Sequence, residues 1–81
     1  MKCTVLFFAQ LAEDAECREC VIELKSGACV SDALTMIASN FTLSPTLLSR
    51  IAIAVNEKYS PPETILQDGD RIALIPPVSG G

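Results

Sequence analysis

Val30-Ser31-Asp32-Ala33-Leu34-Thr35-Met36-Ile37-Ala38-Ser39-Asn40-Phe41 is the stretch on which the fold turns. Val30, Leu34, Ile37 and Phe41 follow one another at intervals of four, three and four residues, the spacing that lines one face of an α-helix, and Ala33 and Ala38 widen the stripe. Ser31, Asp32, Thr35, Ser39 and Asn40 take the opposite face. Asp32 falls in the first turn, where a negative charge suits the helix dipole. The pattern leaves both Cys29 and Ser31 eligible as the N-cap.

On the N-terminal side of this helix lie two strand patterns. Lys2 to Phe8 contains the run Thr4-Val5-Leu6-Phe7-Phe8, β-branched and aromatic and too short for an ordinary helix. Val21-Ile22-Glu23-Leu24-Lys25 reads as a second strand, ended by Ser26-Gly27. The acidic, alanine-rich link from Ala9 to Glu16 reads as a helical turn or loop, and so short a connection predicts an antiparallel pair. On the C-terminal side, Ser44-Pro45 reads as an N-cap with proline at the first helical position, opening a short turn through Leu47-Leu48. Ile51-Ala52-Ile53-Ala54-Val55 is a third strand, followed by a loop with Pro61-Pro62 and a brief extended piece at Thr64-Ile65-Leu66. Asp68-Gly69 makes a turn into the last strand, Arg71-Ile72-Ala73-Leu74-Ile75. Pro76-Pro77 cannot continue a ladder and end it.

Two strands, one helix, then two or three strands in 81 residues predict an α+β domain. The expected architecture is the β-grasp, or ubiquitin-like, arrangement: a mixed sheet of four to five strands packed on one main helix. The domain is expected to span 1–77, with a flexible tail over 78–81. The first and last strands are apolar on both faces, as neighbours in a sheet centre should be. Alternation sets Cys3, Val5, Phe7, Ile72 and Leu74 toward the helix. One helix covers one face only, so Leu6, Phe8, Ala52, Ala54, Ala73 and Ile75 form an apolar group on the uncovered face, a candidate partner surface.

Composition narrows the chemistry. Hydrophobic residues make up 49% of the chain, enough for a packed core, and no apolar run reaches membrane-spanning length. The start of the chain goes directly into a strand pattern without the features of a signal peptide, so a cytoplasmic location is expected. A net charge of −4, with six scattered basic residues, argues against nucleic acid as a partner. There is no histidine, hence neither the commonest general base near neutral pH nor the commonest metal ligand. Cys17-Arg-Glu-Cys20 has C-x-x-C spacing, but only Cys3 and Cys29 remain to complete a zinc site, and the pair runs into a strand rather than opening a helix. Ordinary reduced thiols are expected, with no bound metal or cofactor.

The tail is uncharged from Ile72 onward and ends Ile75-Pro76-Pro77-Val78-Ser79-Gly80-Gly81. After a strand and a proline brake, Gly80-Gly81 becomes a thread without side chains, able to enter a narrow channel, whose reactive group is the terminal carboxylate.

With these residues in view, the sequence resembles the small, sulfur-carrying subunits of molybdopterin synthase over nearly its whole length. The matching motifs are Val5-Leu6-Phe7-Phe8-Ala9-Gln10, Ala54-Val55-Asn56, Asp68-Gly69-Asp70 and, most specific, Pro76-Pro77-Val78-Ser79-Gly80-Gly81. The resemblance implies that an ATP-dependent enzyme related to ubiquitin-activating enzymes adenylates Gly81. A sulfur donor then displaces AMP to leave a covalent C-terminal thiocarboxylate. It implies docking on the large synthase subunit, two small with two large, and sulfur donation to a cyclic pyranopterin precursor. In such a sulfurtransferase complex this chain would be the non-catalytic donor. By position, Phe8, Tyr59 and Ile75 match the family's hydrophobic contact with the large subunit, while Pro76, Pro77, Val78 and Ser79 lead the tail into it. Phe8 and Ile75 were placed on the uncovered face by alternation alone; Tyr59 falls in the loop after the third strand. The alternative is a ubiquitin-like modifier joined to proteins through Gly81.

Overall fold

Burial alternates along the first strand, β1 (Lys2–Phe7): Cys3, Val5 and Phe7 are buried, whereas Thr4 and Leu6 are half-buried. The same rhythm recurs in the last strand, where Ile72 and Leu74 are buried and Ala73 and Ile75 half-buried. The computed structural model describes residues 1–43 and 45–77, with Pro45 and Leu47 described by their backbone only. The expected Ser44 cap and the 78–81 tail lie outside the described residues.

After β1 come α1 (Gln10–Ala15), β2 (Glu19–Glu23), α2 (Val30–Asn40), α3 (Pro45–Leu48), β3 (Ala52–Val55), β4 (Lys58–Tyr59) and β5 (Arg71–Ile75). They form one mixed sheet in the order β2-β1-β5-β3-β4. The central pair β1 and β5 is parallel, with Val5 opposite Ile72 and Phe7 opposite Leu74; the other pairings are antiparallel. This is the predicted β-grasp. Helix α2 lays Val30, Ala33 and Ile37 on the sheet, and Phe41, just past its end, meets Phe7 edge-on with ring centroids 5.1 Å apart. Fully burying a Val, Leu or Ile side chain stabilises by about 1.5–3 kcal/mol, and Val5, Val30, Ile37, Ile72 and Leu74 are all fully enclosed.

The helix differs from its expected stripe in one respect. Ala38 is exposed and Leu34 half-buried, so the fully buried line of the helix is Val30, Ala33 and Ile37. Cys29 is the N-cap, its N–H donating to the Asp32 carboxylate at 2.9 Å, so Ser31 lies inside the helix. That bond holds Asp32 below the usual carboxylate range.

Strand boundaries also moved. β2 runs Glu19–Glu23 rather than Val21–Lys25, since its register with β1 sets Glu23 opposite Lys2 and Glu19 opposite Leu6. The piece at 64–66 makes only an isolated bridge, Ile65 with Cys29, beside the start of α2. Lys58–Tyr59, expected as loop, is a strand. Asn56 (φ +51) and Glu57 (φ +72) close a two-residue hairpin between Val55 and Lys58, the type I′ geometry that matches strand twist.

Candidate functional site

The uncovered face of the sheet is read from the register. Leu6 stands opposite Ala73, Ala73 opposite Ala54, Ile75 opposite Ala52, and Ala54 opposite Tyr59. All therefore point away from α2. Tyr59 joins this face as a strand residue and is 76% exposed; the loop assignment is corrected. Ala54, between Ala73 and Tyr59 in the ladder, is buried on the same face but outside the main core cluster.

An open groove of about 1070 Å³ runs across this face. Leu6 and Ala73 line it from the sheet, and Phe8, Ile75, Pro76 and Pro77 line it where β1 and β5 end. Phe8 is 46% exposed, Pro77 exposed, and Ile75 and Pro76 half-buried. Four of the predicted contact residues are thus brought together. Tyr59 is not among them: it lines a separate depression of about 480 Å³ at the β3–β4 edge, with Ala52 and Leu48. Val78, Ser79, Gly80 and Gly81 lie outside the described residues; Pro76 and Pro77, the last that are described, line the groove.

Ala9, Gln10, Asn56, Glu57 and Arg71 complete the lining and were absent from the predicted set. Backbone strain gathers here. Of the four non-glycine residues with positive φ among the described residues, Ala9, Asn56 and Glu57 line this groove. Ala9 has φ 49 and ψ −126, and the Leu11 N–H donates to the Phe8 carbonyl at 3.0 Å across it. This is a type II′ turn with alanine where glycine is preferred. It ends β1 one residue earlier than expected and leaves Phe8 at the groove edge. Strained conformations of this kind concentrate where a surface has work to do.

At the other end of β5, Asn56 Nδ2 donates to Asp70 at 2.8 Å, and the Arg71 N–H donates to Asn56 Oδ1 at 3.0 Å. The Gln67 N–H reaches the second Asp70 oxygen at 2.8 Å, and the Lys2 N–H reaches Asp68 at 2.7 Å. Gly69, with φ +87, lets the turn fold back so that its N–H meets the Lys2 carbonyl at 2.7 Å. Two of the motifs noted in the sequence, Ala54-Val55-Asn56 and Asp68-Gly69-Asp70, are therefore one clasp. They fix the register of β3, β5 and β1 beneath the groove.

The cysteines contribute no comparable geometry. Burial, and secondarily the neighbouring Cys17, pushes the Cys20 thiol up, away from the thiolate that redox or metal chemistry requires. Cys3 is raised chiefly by burial, with the Asp70 charge adding to it. Among the described residues no three His, Cys, Asp or Glu side chains converge as metal ligands, and no helix is long and apolar enough to cross a membrane.

The ThiS family model matches residues 5–81, from the first strand through the terminal glycine pair. The chain belongs to the ThiS family. Among relatives of this family member is the molybdopterin synthase sulfur carrier subunit of Chlamydomonas reinhardtii, 36% identical over the full length of both chains. SAMP1, small archaeal modifier protein 1, from Haloferax volcanii superposes with a TM-score of 0.91 at 28% identity, covering both chains fully. A Helicobacter pylori complex of subunits 1 and 2 of molybdopterin-converting factor contains a chain matched at TM-score 0.73 and 28% identity, again over both full lengths.

Proposed function

We propose that this chain is the sulfur carrier subunit of a molybdopterin synthase. The observation that carries the proposal is the junction of two features: an apolar groove on the uncovered sheet face, and a family-matched Gly-Gly terminus that begins at the groove's own wall, Pro76-Pro77. The four residues beyond Pro77 reach at most about 14 Å when extended. A partner held on Phe8 and Ile75 would therefore need its reaction chamber within that distance. The Helicobacter pylori complex, in which a similar chain is joined to subunit 2, supports a large-subunit partner for this one.

The chemistry follows from a carboxylate being a poor electrophile. The Gly81 carboxylate attacks ATP, expelling pyrophosphate, on an adenylating enzyme of the ubiquitin-activating type. A sulfur donor then displaces AMP and leaves the thiocarboxylate. Its ionised sulfur attacks a carbon of a cyclic pyranopterin precursor in the large subunit and displaces an oxygen substituent there; water then cleaves the acyl–sulfur bond, which returns the Gly81 carboxylate and leaves the sulfur on the product. Two deliveries make the dithiolene, consistent with two small and two large subunits working in the cytoplasm. With no histidine in the chain, proton transfers fall to the partners. This chain's part is to dock by a preformed face, to thread residues 78–81, and to present Gly80-Gly81 without side-chain bulk. In this scheme 1–77 acts as a rigid holder and 78–81 as the arm.

Reconstitution tests it: thiocarboxylated protein, the large subunit and the cyclic precursor should yield dithiolene in proportion to carrier consumed, and deletion of Gly81 should abolish the yield while circular dichroism stays unchanged. Dithiolene yield unaffected by that deletion would contradict it. The likeness to small archaeal modifier protein 1 favours a second reading, conjugation through Gly81 to lysines of other proteins. Covalent ladders in extract, lost on deletion of Gly81, would mark it; a non-covalent complex alone marks the carrier.

A further inference from the structure

The type I′ hairpin between β3 and β4 asks for a small residue at its second position, commonly glycine, because both central residues have φ > 0. Here that position is Glu57, at φ +72. Its turn partner Asn56 is explained by the fold, since both polar atoms of its side chain are used in the clasp to Asp70 and Arg71. Glu57 has no such duty among the hydrogen bonds of the described residues. It is exposed, carries a charge, and lines the groove next to Phe8's face of the sheet. Apart from Arg71 it is the one charged side chain in that lining, the remainder being apolar save Gln10 and Asn56. A strained, fold-redundant carboxylate at the polar end of an apolar groove is the arrangement of a recognition residue: apolar contacts supply affinity, and a rim charge selects the partner and its orientation.

We propose that Glu57 is a specificity-determining contact that receives a lysine or arginine of the partner docked in this groove. This rests on the proposed function, so the partner meant is the large synthase subunit. Orientation matters because Glu57 sits at the start of β5, opposite the end where Ile75 and Pro76 launch the tail. An ion pair there and apolar contacts at Phe8 fix the carrier at two points along the groove and aim residues 78–81 in one direction.

The test compares three variants for Tm and for Kd toward the purified large subunit, at low and at high ionic strength. Glu57→Gln keeps the backbone strain and removes the charge; it should leave Tm unchanged and weaken binding roughly three- to five-fold at low salt, the difference shrinking at high salt. Glu57→Gly removes both; it should raise Tm by about 4 °C while weakening binding as much as the glutamine variant. Glu63→Gln makes the same charge change at an exposed site outside the groove and should bind as the wild type. Wild-type affinity in Glu57→Gln at both salts overturns the proposal, as does equal weakening by Glu63→Gln. Failure of the wild-type chain to bind the large subunit would overturn the proposed function itself, and this inference with it.

Discussion

Ile72 and Ala73 are neighbours in one strand, as are Phe7 and Phe8 at the end of another, yet each pair is divided between two kinds of surface. Ile72 and Phe7 face α2 and are buried; Ala73 and Phe8 face the groove and are not. The covered face uses large side chains closed off by a helix, whereas the open face mixes small and large ones and leaves a channel between them. Period-two alternation places the two surfaces back to back across a single backbone layer, so the residues that back the docking face are the ones that fold the protein. Stability and binding should therefore separate cleanly between adjacent positions.

The largest effect is expected on the covered face. Leu74→Ala should cost about 2–5 kcal/mol in chemical denaturation, a large share of what a domain this size possesses. A cost under one kcal/mol would mean that the core is less tightly packed than its burial implies. On the open face, Phe8→Asp should do the reverse, weakening large-subunit binding roughly thirty-fold or more while leaving the circular dichroism spectrum in place. Should Phe8→Asp unfold the chain, the division of faces is wrong at its most important residue. Ala9→Gly probes the strain that joins the two faces: relief of the φ 49, ψ −126 turn should add about 1 kcal/mol of stability. Loss of stability would show that the methyl is needed for packing.

The smallest effect concerns pH. The Cys29 N–H lowers the Asp32 pKa in the folded state, so its stabilising contribution is present above the ordinary aspartate range and is lost as pH falls through the lowered folded value. Asp32→Asn should accordingly flatten the acid limb of stability against pH while leaving the groove and its binding unaffected. An unchanged acid limb would assign acid sensitivity to other carboxylates.

Much of this division was legible in the sequence because it depends on periodicity. The stripe from Val30 to Phe41 and the alternation in β1 and β5 required one helix on one face of a mixed sheet, and Phe8 and Ile75 followed. Features set by tertiary registration were not legible. Tyr59 reads as loop because a two-residue strand carries no period of its own; only its pairing with Ala54 assigns its face. Asn56-Glu57 between Val55 and Lys58 held a hairpin signal in its asparagine, weakened by glutamate in the place of glycine. Ala9 gave no signal, since alanine is a residue from which a type II′ turn is not expected. The Asn56–Asp70 bond joins residues 14 apart whose motifs had looked like separate family marks. The terminal glycines are the converse case: they lie outside the described residues, and the chemistry proposed for them rests on composition and family pattern.

The central claim is that the backbone acid at Gly81 takes up sulfur and that everything else serves its delivery. The direct measurement is the mass of the C-terminal peptide after incubation with the adenylating enzyme, ATP and a sulfur source. That peptide should become heavier by the difference between one sulfur and one oxygen atom, and return to its original mass when large subunit and cyclic precursor are added. A peptide whose mass never changes, with the enzyme active on an established carrier in parallel, would contradict the account.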